Sequence, residues 1–267
     1  MKYLQPRVTG LEWIIGLTMS IFASMSLVIW RFFNCNVKVT DYYSKSNNLA
    51  ILERLTMDHI EFVLPEDIER KSFDIISEEL KEQNIMLIPE QESVIKRVIH
   101  TSADFEYVHT MAFSERAIEI AKELIKGGAD IVTDTNMALA GINKNVLARF
   151  GGEAHCFMAD PKVVEIAKQR HVTRATVSME MAAQIQKPVI IAVGNAPTAL
   201  IQLNEMIQNN TFRPAFIIGV PVGFVNVVAA KELILKTDVP YIVNRGRKGG
   251  SNVAAAICNA LLYDLAR

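Results

Sequence analysis

The chain has 267 residues, 50% of them apolar and 21% charged. That is the composition of a folded domain with a sizeable core, and it excludes disorder and low-complexity fibres. Lys and Arg total 28 and Asp and Glu total 29, a net charge of −1. A general nucleic-acid-binding surface needs a basic excess and is excluded, so any charge-based function comes from a local cluster. The cysteines Cys35, Cys156 and Cys258 are far apart and show no C-x-x-C pairing. This argues against a disulfide framework and a structural zinc site, and Cys156 and Cys258 read as small buried hydrophobes.

The first region is an N-terminal extension, 1–57. From Trp13 to Trp30 the chain runs for 18 residues without a charge, the lower edge of a membrane-spanning helix, with tryptophans placed as interfacial aromatics. No small-x-small cleavage site follows, so a signal peptide fits poorly. Lys2, Arg7 and Glu12 precede the span and Arg31, Lys38 and Lys45 follow it, and these flanking charges do not settle its orientation. The alternative is a packed or dispensable tail helix. A polar connector then leads to the second region, 58–267.

That region opens with three helical patterns, Asp67 to Gln83, Glu90 to Ala103 and Ser114 to Lys126. Pro65 precedes the first, and Ser114 and Gly127-Gly128 punctuate the third. Short apolar, β-branched runs then appear at 129–134, 153–158, 188–193, 215–220 and 240–244. Helical stretches at 161–170, 173–185, 196–208, 224–236 and 249–265 separate or follow them. The alternation predicts an α/β fold, a parallel five-stranded sheet covered by helices on both faces.

Ligands of such sheets bind at the carboxyl ends of the strands. Those ends carry Asp134-Thr135-Asn136, Gly194-Asn195-Ala196-Pro197-Thr198, Pro221-Val222-Gly223-Phe224 and Arg245-Gly246-Arg247-Lys248-Gly249-Gly250-Ser251. The last is the sharpest signal. Three cations and three glycines lie just before a helix, an arrangement suited to phosphate or carboxylate. It is neither a P-loop nor a dinucleotide fingerprint, and the alternative is a solvated basic turn.

His100, near the end of its helix and followed by Thr101-Ser102-Ala103-Asp104, is the candidate acid or base. Pattern alone favours a partly buried histidine capping its own helix. His59, His109, His155 and His171 show no metal spacing. Ser72 and Arg174 lie on helices and would pass unnoticed. The residues by themselves reach an α/β domain that binds a polyanionic small molecule, with one acid/base candidate and no metal or cofactor fingerprint.

Six stretches taken together resemble one family. They are DIERKSFDII (67–76), RVIHTSADFEY (97–107), GADIVTDTNMALAGI (128–142), AVGNAPTAL (192–200), GVPVGFVNVVAAKE (219–232) and NRGRKGGSNVAAAICNAL (244–261). The chain from residue 60 onward resembles the precorrin-8X methylmutases, also called cobalt-precorrin-8 methylmutases or precorrin isomerases, of cobalamin biosynthesis. The resemblance implies an isomerase that moves a methyl group from C-11 to C-12 of precorrin-8X or cobalt-precorrin-8, giving hydrogenobyrinate or cobyrinate. It implies a homodimer with the corrinoid between subunits, and no cofactor.

The family's catalytic histidine falls on His100, which reverses the reading from pattern and makes it a proton donor to the ring. The family's threonine-arginine pair falls on Thr173-Arg174 and its first-helix serine on Ser72. With these, the substrate-binding set is Asp104, Asn195, Thr198, Gly223, Phe224, Arg245, Arg247, Gly249 and Ser251; no residue is assigned to a metal. An arginine-glycine loop suits the ring's acetate and propionate groups, and Phe224 and Met137 suit its apolar faces. Residues 1 to about 57 depart from the family pattern and would tether a cytoplasmic catalytic domain to a membrane. The competing readings are a phosphate-ligand transferase on the same fold and a membrane-tethered corrinoid carrier without turnover. A carrier has no need of a proton donor at His100.

Overall fold

A computed structural model of the chain describes residues 63–266. The elements in order are α1 Pro65–Glu82, α2 Pro89–Ser102, α3 Tyr107–Thr110, β1 Met111–Phe113, α4 Ala117–Lys126, β2 Asp130–Thr133, α5 Asn136–Gly141, α6 Lys144–Arg149 and β3 Ala154–His155. They continue with α7 Pro161–Arg170, α8 Arg174–Ala182, β4 Val189–Val193, α9 Pro197–Gln208, β5 Phe216–Gly219, α10 Val227–Ile234, β6 Tyr241–Asn244 and α11 Ser251–Ala266. Prolines open α1, α2, α7 and α9, where the missing N–H has no intrahelical partner to lose.

The strands form one sheet in the order β1-β6-β5-β4-β2-β3. All neighbours are parallel except β1 and β6. The fold class is α/β as expected, but the sheet has six strands, not five, and one is antiparallel. The extra strand is three residues long and pairs Ala112 with Val243. Ser114, expected to start a helix, instead closes that edge: its hydroxyl accepts from the Tyr241 amide at 2.9 Å, and α4 starts at Ala117. The run 153–158 yields only a two-residue edge strand, in which Ala154 and His155 stand in register with Ile131 and Val132 of β2.

Strand side chains divide between two apolar layers, as a period of two requires. Ile131, Ile190, Ala192, Ile218 and Ile242 pack with α2, α4 and α11. Val132, Val189, Ile191, Val193 and Val243 pack with α8, α9 and α10. The central strands are buried on both faces, which is why they read as continuous apolar runs. Cys258 lies buried in α11, and burial pushes its thiol up to about 12, so it behaves as a small hydrophobe. Cys156 is only half-buried, because it follows the short edge strand.

Among the described residues no helix is long and apolar enough to cross a membrane. The expected span 13–30, the polar connector and the boundary near residue 58 lie outside the described residues.

Candidate active site

The chain leaves β2 outward to β3 but leaves β4 inward to β5, so the winding reverses between neighbours β2 and β4. Their carboxyl ends form the crevice where such sheets take ligands. Asp134 sits there, fully buried. Its carboxylate accepts from the amides of Gly194 at 2.8 Å, Asn195 at 2.8 Å and Ala196 at 2.6 Å. Burial pushes this carboxyl above the usual range, and the three amides oppose that shift. Beside it the hydroxyls of Thr135 and Ser251 share a 2.8 Å hydrogen bond that joins α5 to the start of α11. Gly194 lies against the same start, since a Cβ there would be 2.7 Å from the Gly250 carbonyl oxygen.

The basic loop 245–250 crosses the same edge of the sheet. Each of its first four carbonyls is held by the protein body. Asn244 Nδ2 donates to Arg245 O at 3.2 Å and to Lys248 O at 2.9 Å. Lys231 Nζ donates to Gly246 O at 2.9 Å and to Lys248 O at 2.7 Å. The Gly223 amide donates to Arg247 O at 3.1 Å. The amides of Gly246, Arg247, Lys248 and Gly249 have no acceptor among the described residues. Unpaired successive amides make an anion-binding concavity. Gly249 must be glycine: its φ is +154°, and a Cβ would lie 2.1 Å from Val220 O.

Around this loop the expected residues gather. The Arg247 guanidinium lies over the Phe224 ring, 5.4 Å from its centre. Arg245 reaches Glu232 only at 4.0 Å, so both guanidinium groups are open to an anion. Lys248 bridges Asp104 at 2.5 Å and Glu106 at 2.7 Å. That pairing holds Asp104 below the usual carboxylate range. It also fastens the end of α2 to the loop, helped by Ala103, which ends α2 in the left-handed region with φ 52°.

His100 stands one turn before that end. It is exposed and caps nothing, so the reading from pattern alone is corrected; the amide of Ala103 returns to Ile99 O instead. Its ring stacks on Phe73, 5.3 Å between centres. Among the described residues its nitrogens have no hydrogen-bond partner. The ring lines a cavity of about 250 Å³ with Thr101, Gly141, Asn252 and Asn259. Asn252 lies in the first turn of α11, which begins at Ser251, at the end of the basic loop.

On the other layer Thr173 caps α8 and donates to the Thr198 hydroxyl at 3.1 Å. Thr198 lies in the first turn of α9, three residues past Asn195. Arg174 donates to Met158 O at 3.3 Å. Ser72 precedes Phe73 on α1, and its hydroxyl donates to Ile68 O on its own helix at 2.9 Å. Met137, Phe224 and Val225 are 71%, 82% and 76% exposed and supply apolar surface at the same edge.

Residues 67–264 match the family described as Precorrin-8X methylmutase. The chain belongs to the precorrin-8X methylmutase family. It is 45% identical to the cobalt-precorrin-8 methylmutase of Salmonella typhimurium, over 75% of this chain and 96% of that one. It is 42% identical to the cobalt-precorrin-8 methylmutase of Priestia megaterium, over 74% of this chain and 88% of that one. The solved precorrin-8x methyl mutase of Thermus thermophilus superposes with a TM-score of 0.68 at 37% identity, covering 75% of this chain and 98% of that one.

Three residues of the candidate site escaped sequence reasoning. Asp134 stands in a quoted strand-end loop, but nothing in sequence shows it buried. Phe73 reads as one more apolar residue of α1. Lys231 sits in a helix where a lysine ordinarily signals solvent.

Two outcomes follow from these buried charges. In Asp134→Asn an amide group would meet a backbone N–H, so at least one hydrogen bond is lost; the expected cost is about 1–3 kcal/mol of unfolding free energy, measured by urea titration. Lys231 is lowered by burial from 10.5 to about 8. Between those pH values the unfolded methylmutase holds more protons on this group than the folded one, so the contribution of Lys231 to stability is lowest below pH 8 and rises as pH climbs to 10.5. The gain is roughly 3 kcal/mol. Lys231→Met should remove that rise, and equal pH slopes for the two proteins would refute the assignment.

Proposed function

We propose that the methylmutase takes precorrin-8X or its cobalt form at the carboxyl edge of the sheet and moves the C-11 methyl group to C-12. The names of the two relatives above favour the cobalt form. The reaction is an isomerisation, so its atoms balance without a second substrate. The carrying observation is the Asp104–Lys248 ion pair, which joins the helix of His100 to the anion-binding loop. An acid/base group and a carboxylate-binding loop thus belong to one site.

In this reading His100 donates a proton to the ring system and the positive charge spreads through the conjugated macrocycle. The exposed imidazole, steadied by Phe73, suits that role. Arg245, Arg247 and the unpaired amides bind the ring's carboxylates, with Arg174, Asn195, Thr198 and Ser251 around them. Phe224 and Met137 face the apolar body of the ring. Ser72 would need a contact that its present hydrogen bond does not make, so the partner subunit or the ligand is the place to seek it.

The direct test is incubation with cobalt-precorrin-8 and with precorrin-8X, followed by the absorption change to the corrinate. His100→Ala should bind corrinoid yet turn over about a hundred- to ten-thousand-fold more slowly. Arg245→Gln with Arg247→Gln should weaken binding, and added salt should reproduce the weakening in the wild type. Wild-type turnover in the first variant removes His100 from the chemistry; wild-type affinity in the second reduces the loop to a solvated turn.

The proposal includes a homodimer and a membrane tether at 13–30. The apolar lip of Met137, Val222, Phe224 and Val225 is surface that a second subunit over the substrate would cover. The full chain should stay with membranes through a high-salt wash, and after detergent extraction should sediment at twice the 29.8 kDa of one chain. Recovery in the soluble fraction would remove the tether, and sedimentation as a monomer the dimer.

A further inference from the structure

Lys231 has no exposed surface, and among the described residues no carboxylate pairs with its ammonium group. Buried lysines are rare unless paired, because leaving water costs the charge its hydration. Its two acceptors are the carbonyls of Gly246 and Lys248. Those carbonyls alternate with the amides of the same loop that have no acceptor among the described residues. A peptide group fixed through its carbonyl has its amide direction fixed as well, since the two are coplanar and trans. Lys231 therefore sets the aim of the loop's amides from below.

The loop's other charges do not answer it. Arg245, Arg247 and Lys248 add positive charge above it. Lys248 is matched by Asp104 and Glu106, whereas Glu232 is 4.0 Å from Arg245. We propose that Lys231 is a positioning residue of the substrate site: its buried ammonium shapes the 245–250 loop, and the carboxylate that the loop binds is its counter-charge. The proposal rests on the reading of that loop as the carboxylate site.

The test uses the full-length protein with cobalt-precorrin-8. Lys231→Met should raise KM about tenfold and change kcat by less than about twofold. The slope of log KM against log salt should become shallower, because one cation is gone from the site. Lys231→Gln keeps two N–H donors without the charge, so KM should rise by less than in the Met variant while its salt slope matches that variant's. Replacing a purely structural lysine would lower stability and leave the salt slope alone. Either variant folding with wild-type KM and salt slope overturns the proposal. Loss of the fold in both overturns it too, by making Lys231 a stability residue. The double substitution of Arg245 and Arg247 by Gln separates the two levels. If it binds as wild type, the carboxylate reading of the loop fails; if it weakens while the Lys231 variants do not, the Lys231 assignment alone fails.

Discussion

The carboxylate of Asp134 ties two strands together at the point where the winding of the sheet reverses. Three amides of one loop converge on its two oxygens, so the turn after β4 has little freedom left. That turn presses on Gly250 and Ser251 so closely that Gly194 has no room for a Cβ. The start of α11 and the end of the basic loop are thereby placed relative to β2 and β4. A buried carboxylate is costly, and charge-assisted hydrogen bonds of about 1.5–3 kcal/mol each offset much of that cost. The polar site begins from this junction, and the apolar layers on both faces of the sheet hold the junction still.

The positive side of the site follows a different logic. Its cations cluster, and one of them is buried beneath the rest. Burying an ammonium group without a carboxylate lowers stability at neutral pH, and burial pushes Lys231 below the usual lysine range. The carbonyls of residues 245–248 each find a donor, while among the described residues four amides of the loop find no acceptor. This asymmetry would be a defect in a loop whose only task was to connect β6 to α11. In a loop that meets an anion it is what complementarity requires, and the stability cost is repaid when the anion binds.

Much of the fold was legible because the central strands are buried on both faces. Runs such as VIIAV at 189–193 leave no polar alternative, and glycines and prolines mark their ends. β1 was not legible: three residues between two helices carry no periodicity, and their pairing with β6 is set by chain partners more than a hundred residues away. Ser114 misled for a related reason, since a hydroxyl that can cap a helix can equally accept from a strand amide. Of the site, the strand-end loops stood out through glycine, proline and arginine. His100 needed a family resemblance, because an exposed histidine on an amphipathic helix has no signature. Ser72 came from resemblance alone, since its hydroxyl bonds only within its own helix among the described residues. Asp134, Phe73 and Lys231 depend on tertiary contacts that periodicity does not encode.

The chemistry of the edge also separates the competing ligands. A small phosphate would use the unpaired amides and the arginines, but would leave Met137, Phe224 and Val225 in water with no role. A purely apolar ligand would leave the amides and guanidinium groups unanswered. A flat macrocycle fringed with carboxylates, as proposed, would engage both, its body against the apolar lip and its fringe against the loop. The position of Arg247 over the Phe224 ring fits this double demand. Stacking holds a guanidinium group without consuming its donors, so the same side chain rests on the lip and remains free to bind an anion. In the proposed reading His100 completes the distinction from a carrier, because a solvent-facing imidazole stacked on Phe73, with no hydrogen-bond partner among the described residues, would serve proton transfer and adds nothing to storage.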